Sequence, residues 1–183
     1  MRKVTVEVEM SLDGCMGGEN GGFWEQVFPF HSDDVTEYLD SILFAPDALV
    51  MGATTYKFFS QVWPERDGKQ ADKINTMPKY VASRSLKEPL EWNSTLLKGD
   101  VVEAIKKLKE EPGKGLLQYG VGELTRTMLE HNLVDEFRIL VFPFSYGEGP
   151  RIFDHMGVNT LKFLDIKTFS SGAVALHYQA ENK

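Results

Sequence analysis

Cysteine is nearly absent: Cys15 stands alone among 183 residues, so no internal disulfide can form and the fold must rest on its core. No apolar run approaches the length of a membrane span, and the N-terminus lacks the ordered charged, apolar and small residues of a signal peptide. The cytoplasm is therefore the expected compartment. Positive charge is also scarce. The chain has 20 Lys and Arg against 27 Asp and Glu, a formal net charge of −7, which argues against the basic surface that nonspecific nucleic-acid binding needs. The four histidines, His31, His131, His155 and His177, lie far apart without metal-ligand spacing and read as structural. No serine sits in a nucleophile elbow, no P-loop lysine-serine pair occurs, and no base neighbours Cys15. Chemistry borne by a protein nucleophile or a metal is not indicated. Hydride transfer, which asks the protein mainly to bind and orient, fits this inventory better.

What is present is ordinary for a folded chain: 42% apolar and 26% charged residues, without a polar tract or a linker. The length predicts one domain over 1–183 that buries about 70% of its unfolded surface.

Val4, Val6, Val8 and Met10 alternate with Thr5, Glu7 and Glu9, the period-2 pattern of a strand, here with an unexpectedly polar second face. Five glycines in 14–23 predict a long mobile loop, a candidate lid, closed by Phe23 and Trp24. Ser32 is placed to cap a helix with Val35, Leu39, Ile42 and Leu43 on one face. A short strand at 48–51 ends at Gly52, after which Thr54 or Thr55 caps a helix bearing Tyr56, Phe59 and Val62. A charged loop precedes a strand at 79–83, and Leu96 and Leu97 mark another. Asp100 caps a helix built on Val101, Ala104, Ile105 and Leu108. A strand at 116–119 leads through the turn Gly120-Val121-Gly122 to a helix with Leu124, Met128 and Leu129 on its stripe. Strands at 137–142, 161–169 and 173–179 close the chain, the last two joined by Ser170-Ser171-Gly172. Alternating strands and helices that end in a hairpin predict an α/β fold, a mixed sheet between two helical layers.

Open α/β sheets bind ligands beyond the carboxyl ends of their strands, where helix N-termini offer free amides to anions. Three segments qualify: Gly52-Ala53-Thr54-Thr55, Ser83-Arg84-Ser85 and Gly120-Val121-Gly122-Glu123. The Gly-Val-Gly turn lets amides approach a phosphate, because glycine has no Cβ; it reads equally well as a tight connection. Ser83-Arg84-Ser85 offers hydroxyls and a guanidinium to a phosphate monoester, or is a solvated loop.

These landmarks form a familiar series. Met10-Ser11-Leu12-Asp13-Gly14, Val50-Met51-Gly52 with Thr55-Tyr56, Tyr80-Val81-Ala82-Ser83-Arg84, and the stretch from Leu116 to Asp154 resemble, in order, the dihydrofolate reductase-like superfamily. The last stretch, with Gly147-Glu148-Gly149-Pro150-Arg151-Ile152-Phe153, looks like the reductase domain of riboflavin biosynthesis enzymes and its stand-alone relatives. The resemblance implies a three-layer α/β/α fold and an NADPH-dependent reductase. The substrate class it implies is a small heterocycle such as a pterin, a folate or a ribosylaminopyrimidine. It also implies a homodimer.

Carried over by position, the cofactor's backbone phosphates fall on Gly52, Thr54 and Thr55, and the adenosine phosphate on Ser83 and Arg84. The pyrophosphate falls on Gly120, Val121, Gly122, Glu123, Leu124 and Thr125, and the nicotinamide lies near Met10 and Met16. The carboxylate that holds the pterin in folate reductases matches Asp34, with Asp33 competing. The chain departs from the pattern twice. Ala53 stands where relatives carry arginine, and Glu9 stands where they carry a small or apolar residue; Glu9 reads as a proton relay or as an obstruction. Glu9 and Asp34 are thus the candidate catalytic residues, with Glu9 expected at the substrate end of the cleft. One cysteine cannot supply the zinc site of the deaminase half, so only reduction is implied. The competing reading is a non-catalytic ligand-binding relative that kept the cleft.

Overall fold

A computed structural model describes residues 1–17 and 22–181. Its strands are β1 (Lys3–Ser11), β2 (Ala48–Gly52), β3 (Lys79–Ala82), β4 (Ser94–Leu96), β5 (Gly115–Tyr119), β6 (Glu136–Phe142), β7 (Leu161–Thr168) and β8 (Val174–Ala180). They form one sheet in the order β4-β3-β2-β5-β1-β6-β8-β7. The first six are parallel. β8 runs antiparallel to β6, and β7 antiparallel to β8. This is the α/β mixed sheet with a C-terminal hairpin that the strand pattern predicts.

Side-chain alternation divides the molecule into layers. Val4, Val6 and Val8 of β1 join Val50, Leu116, Phe137 and Ile139 in one core, covered by α5 (Val101–Glu110) and α6 (Glu123–Glu130). The opposite face carries Leu49, Met51, Leu117, Leu140 and Phe142. It is covered by α1 (Gly22–Val27), α2 (Asp33–Phe44), α3 (Ala53–Val62) and α4 (Lys69–Thr76). Each fully buried aliphatic or aromatic side chain here is worth about 1.5–3 kcal/mol relative to exposure. Glu7 and Glu9 point into the second layer, since their β5 and β6 partners, Tyr119 and Leu140, lie on that face.

Several boundaries differ from the sequence reading, each for a local reason. Phe23 and Trp24 do not close a loop but sit in α1, where Phe23 is buried against Trp24, Phe144 and Tyr146. Residues 18–21 of the expected lid lie outside the described residues. The charged stretch before β3 holds α4, whose buried side is only Ala71 and Ile74, so its apolar stripe is too short to stand out among charged neighbours. The N-cap of α3 is Gly52 and not Thr54 or Thr55, which fall inside the first turn. Ser32 does start α2, but its hydroxyl bonds to the Asp34 carboxylate and not to a helix amide. Asp100 caps α5 as expected, accepting from the Val102 and Glu103 amides at 2.8 and 3.1 Å. The buried stripe of α5 is Val102, Ile105 and Leu108, while Val101 and Ala104 are only half-buried.

Candidate functional site

The topology creates one special crevice. α3 leaves β2 on one face of the sheet, whereas α6 leaves the adjacent β5 on the other. Chain paths that part in this way leave a gap beyond the carboxyl ends of the two strands, with a helix N-terminus on either side. Gly52 ends β2 and Gly120 follows β5, so two of the three anion-ready segments flank this switch point. The third, Ser83-Arg84-Ser85, follows β3 beside β2, on the same edge.

The backbone of these turns is open. Gly120 adopts φ +72°, a left-handed conformation that favours glycine, and its amide donates to the Glu7 carbonyl at 2.8 Å, tying the turn to β1. Gly122 is extended at φ −171°, and a Cβ on Gly52, Gly120 or Gly122 would meet no atom within 4 Å. Neither helix has a side-chain cap that spends all its free amides. α3 has no such bond, and in α6 the buried Thr125 hydroxyl takes only the Gly122 amide, at 3.2 Å. Gln118 donates to the same hydroxyl at 2.6 Å, so β5 and α6 fix the turn from both sides. Val121 and Leu124 are half-buried against the α5–α6 core; Glu123 is exposed and lies 3.7 Å from Arg126. Thr54 is exposed and Thr55 half-buried. Arg84 is exposed, and the Ser83 oxygen accepts from the Ser85 and Leu86 amides, shaping the loop that carries it.

Met16 is buried and bridges to Met10, at the end of β1. The Ser11-Leu12-Asp13-Gly14 turn between them is a clamp. The Asp13 carboxylate accepts from Ser11, from the Tyr146 amide at 2.9 Å and from the Gly147 amide at 2.8 Å, which holds its proton affinity well below the ordinary carboxylate range. The two motifs quoted for the resemblance, one near each end of the chain, are thus a single structural unit. Sequence reasoning saw both and missed the contact.

The two candidate carboxylates part company. Asp34 receives the Ser170 amide at 2.8 Å, the Ser170 hydroxyl at 3.0 Å, the Val35 amide at 3.0 Å and the Ser32 hydroxyl, so it fastens the β7–β8 turn to the start of α2. These donors, Ser32 foremost, bring its pKa down to about 2. Glu9 is mostly buried and lies 3.0 Å from His31 Nε2. His31 was dismissed on sequence because nothing in its spacing links it to β1. The only available signal was indirect: a carboxylate on the covered face of a strand needs a partner.

Two other concavities, of about 440 and 450 Å³, are lined by none of the residues of these three turns. One lies at the amino ends of the parallel strands beside Asp135 and Lys162, the other between β3, β4 and α5. Among the described residues no group of His, Cys, Asp and Glu could hold a metal ion, and no helix is long and apolar enough to cross a membrane.

Comparison with known proteins agrees with this architecture. Residues 2–175 match the model of the RibD C-terminal domain. The chain is 30% identical to the Uncharacterized protein YyaP of Bacillus subtilis (strain 168) over 184 residues, covering 97% of this chain and 94% of that protein. Among solved structures, a protein of Shewanella sp. PV-4 provisionally named for riboflavin biosynthesis superposes with TM-score 0.77 at 21% identity, over 98% of this chain and 99% of that one. The diaminohydroxyphosphoribosylaminopyrimidine deaminase/5-amino-6-(5-phosphoribosylamino)uracil reductase of Thermotoga maritima superposes with TM-score 0.69 at 15% identity. That match takes in 98% of this chain but only 57% of the larger protein. The chain belongs to the RibD C-terminal domain family and has the α/β fold of its reductase-like neighbours.

Proposed function

We propose that the protein is an NADPH-dependent reductase acting on a small flat heterocycle of the pterin, folate or ribosylaminopyrimidine kind. The observation that carries this reading is the pair of glycine turns, Gly52 and Gly120–Gly122, on either side of the switch point, where a Cβ on any of these three glycines would meet no atom within 4 Å. The donor set fits a dinucleotide. Backbone amides of α3 and α6 would hold the diphosphate, Ser83 and Arg84 the adenosine phosphate, and the Met10–Met16 bridge would bound the nicotinamide end near Glu9. Held there, NADPH would supply a hydride; the chain's work is to bind, to orient and to exclude water. The test is NADPH oxidation in the presence of dihydrofolate or 5-amino-6-(5-phosphoribosylamino)uracil. Turnover of either supports the reading. Tight NADPH binding without turnover of either would favour the non-catalytic relative.

NADPH should be preferred over NADH through Arg84. A guanidinium–phosphate hydrogen bond contributes about 1.5–3 kcal/mol, or roughly ten- to a hundred-fold in affinity. The exposure of Arg84 and the absence of a cation at Ala53 place the expectation near ten-fold. Titration of both nucleotides against tryptophan fluorescence checks it: Arg84→Ala should abolish the preference, and equal affinities in the wild type would show that the phosphate is not read there.

The protein should also be a homodimer. β7 is a sheet edge eight residues long, and Phe163 and Ile166, 54% and 53% exposed, extend the apolar row formed by Leu176 and Tyr178 on β8. A long apolar edge of this kind calls for cover, and a second copy supplies it by symmetry. Light scattering should give twice the 20.7 kDa chain mass; a species of only that mass at micromolar concentration would refute the dimer.

A further inference from the structure

Glu7 and Glu9 stand two residues apart on one face of β1, so the pleat sends both into the layer under α1–α4, one deeper than the other. Glu9 is 11% exposed at its side chain and lies 3.0 Å from His31 Nε2, and His31 is 25% exposed. Glu7 is 3% exposed, and its Oε1 has no hydrogen-bond partner among the described residues. Burial, reinforced by the Glu9 carboxylate, pushes the proton affinity of Glu7 well above the ordinary carboxylate range. Of the other polar groups around it, Arg138 and Asp40 are engaged elsewhere. Tyr119 of β5, opposite Glu7, has its phenol pushed up by burial and then by the same carboxylates. Arg138 of β6 turns to Glu136, at 3.7 Å, and to Tyr38 of α2. Asp40 of α2 is taken by Lys69 and Gln70. Of the two carboxylates on this face, Glu9 is the one that meets His31.

The imidazole is fixed as well as paired. It stacks on Phe142 with centroids 5.7 Å apart at 29°, and meets the edge of Phe28 at 5.9 Å and 89°. With Nε2–H donated to Glu9, Nδ1 is the nitrogen free to exchange a proton, and no hydrogen bond among the described residues engages it.

We propose that His31 is the proton donor of the reduction, oriented through Nε2 by Glu9 and delivering from Nδ1. This rests on the reductase reading above. As the substrate carbon of a C=N or C=O bond accepts hydride from the reduced nicotinamide, the π electrons move to the nitrogen or oxygen. That atom would take the Nδ1 proton of His31 in its doubly protonated imidazolium form, whose Nε2–H stays donated to Glu9. With the two electrons drawn from bound NADPH, the neutral Nε2–H imidazole left on His31 would regain its Nδ1 proton from solvent. Glu9 is a positioning residue, acting through the ring.

The test uses the full chain with ¹⁵N-labelled histidine, NADPH, and whichever of dihydrofolate or 5-amino-6-(5-phosphoribosylamino)uracil it reduces. Once His31 in the free protein is deprotonated it should appear as the Nε2–H tautomer, and Glu9→Gln should mix the tautomers. His31→Asn should bind NADPH as the wild type does, yet slow single-turnover hydride transfer about 10²- to 10⁴-fold and flatten its pH profile. A His31→Asn variant with wild-type single-turnover rate, or a wild-type His31 without the Nε2–H preference, overturns this assignment and leaves the reductase reading standing. A wild type that reduces neither compound overturns both.

Discussion

Replacement of Gly122 by valine should lower NADPH affinity by about a hundred-fold or more, about 2.7 kcal/mol, without lowering the thermal midpoint of the free protein. The two halves of this expectation come from different observations. Gly122 is extended at φ −171°, a conformation that any residue adopts, and a Cβ built there meets no atom within 4 Å, so the folded chain has room for the new side chain. Nothing in the protein alone asks for glycine. What asks for it, on the proposed function, is the close approach of a phosphate to the amides that open α6. Gly120→Val is the informative contrast, because φ +72° adds backbone strain of about 1–2 kcal/mol to the same loss of binding. Fluorescence titration and a melting curve on each variant separate the two effects. A Gly122→Val protein that binds NADPH normally would show that the turn is only a tight connection.

Glu7→Gln should change how stability depends on pH. The folded-state pKa of Glu7 is raised above its ordinary 4.5, because burial and the Glu9 charge disfavour the ionised form. Above about pH 4.5 the unfolded chain releases this proton while the folded chain keeps it, so stability falls as pH rises toward the folded-state value. The contribution is fully present below the unfolded pKa and is lost across the window above it. An ionised carboxylate buried without a partner costs several kcal/mol even after relaxation, which makes the wild-type slope large. Glutamine keeps the shape and cannot ionise. Denaturant midpoints at about pH 5 and about pH 8 should therefore converge in Glu7→Gln and diverge in the wild type. Asp13, Asp34 and Asp47 do not confuse the comparison, since their pKa values are lowered and their loss of stability lies at acid pH. Equal slopes in the two proteins would mean that Glu7 is ionised in the folded state and has found a partner.

The fold was readable because its signals are local. The valines of β1 alternate with polar residues, Asp100 caps α5 with its own side chain, and Gly120 punctuates a strand and a helix. Three kinds of information were not local. Helix α4 hides because it is short and mostly polar: only Ala71 and Ile74 of its eight residues are buried, too few apolar positions to stand out in a charged stretch. The Asp13 clamp joins positions more than a hundred residues apart, as its bonds to Tyr146 and Gly147 show, and nothing at either end announces the other. The site divides in the same way. Its glycine turns could be located from strand ends, but the roles of two acidic residues depended on what approached them. Asp34 met the Ser170 turn and Glu9 met His31. The polar face of β1 was visible as an anomaly from the start; its meaning required the helices that cover it.

The central claim is that a dinucleotide lies across the switch point between β2 and β5. Amide chemical-shift mapping of the ¹⁵N-labelled protein during an NADPH titration tests it most directly. The account predicts saturable shifts centred on Ala53, Thr54, Gly120, Val121, Gly122 and Glu123, with a smaller set at Ser83, Arg84 and Ser85. Shifts confined to the concavity beside Asp135 and Lys162, or to the one between β4 and α5, or no shifts at millimolar NADPH, would contradict it.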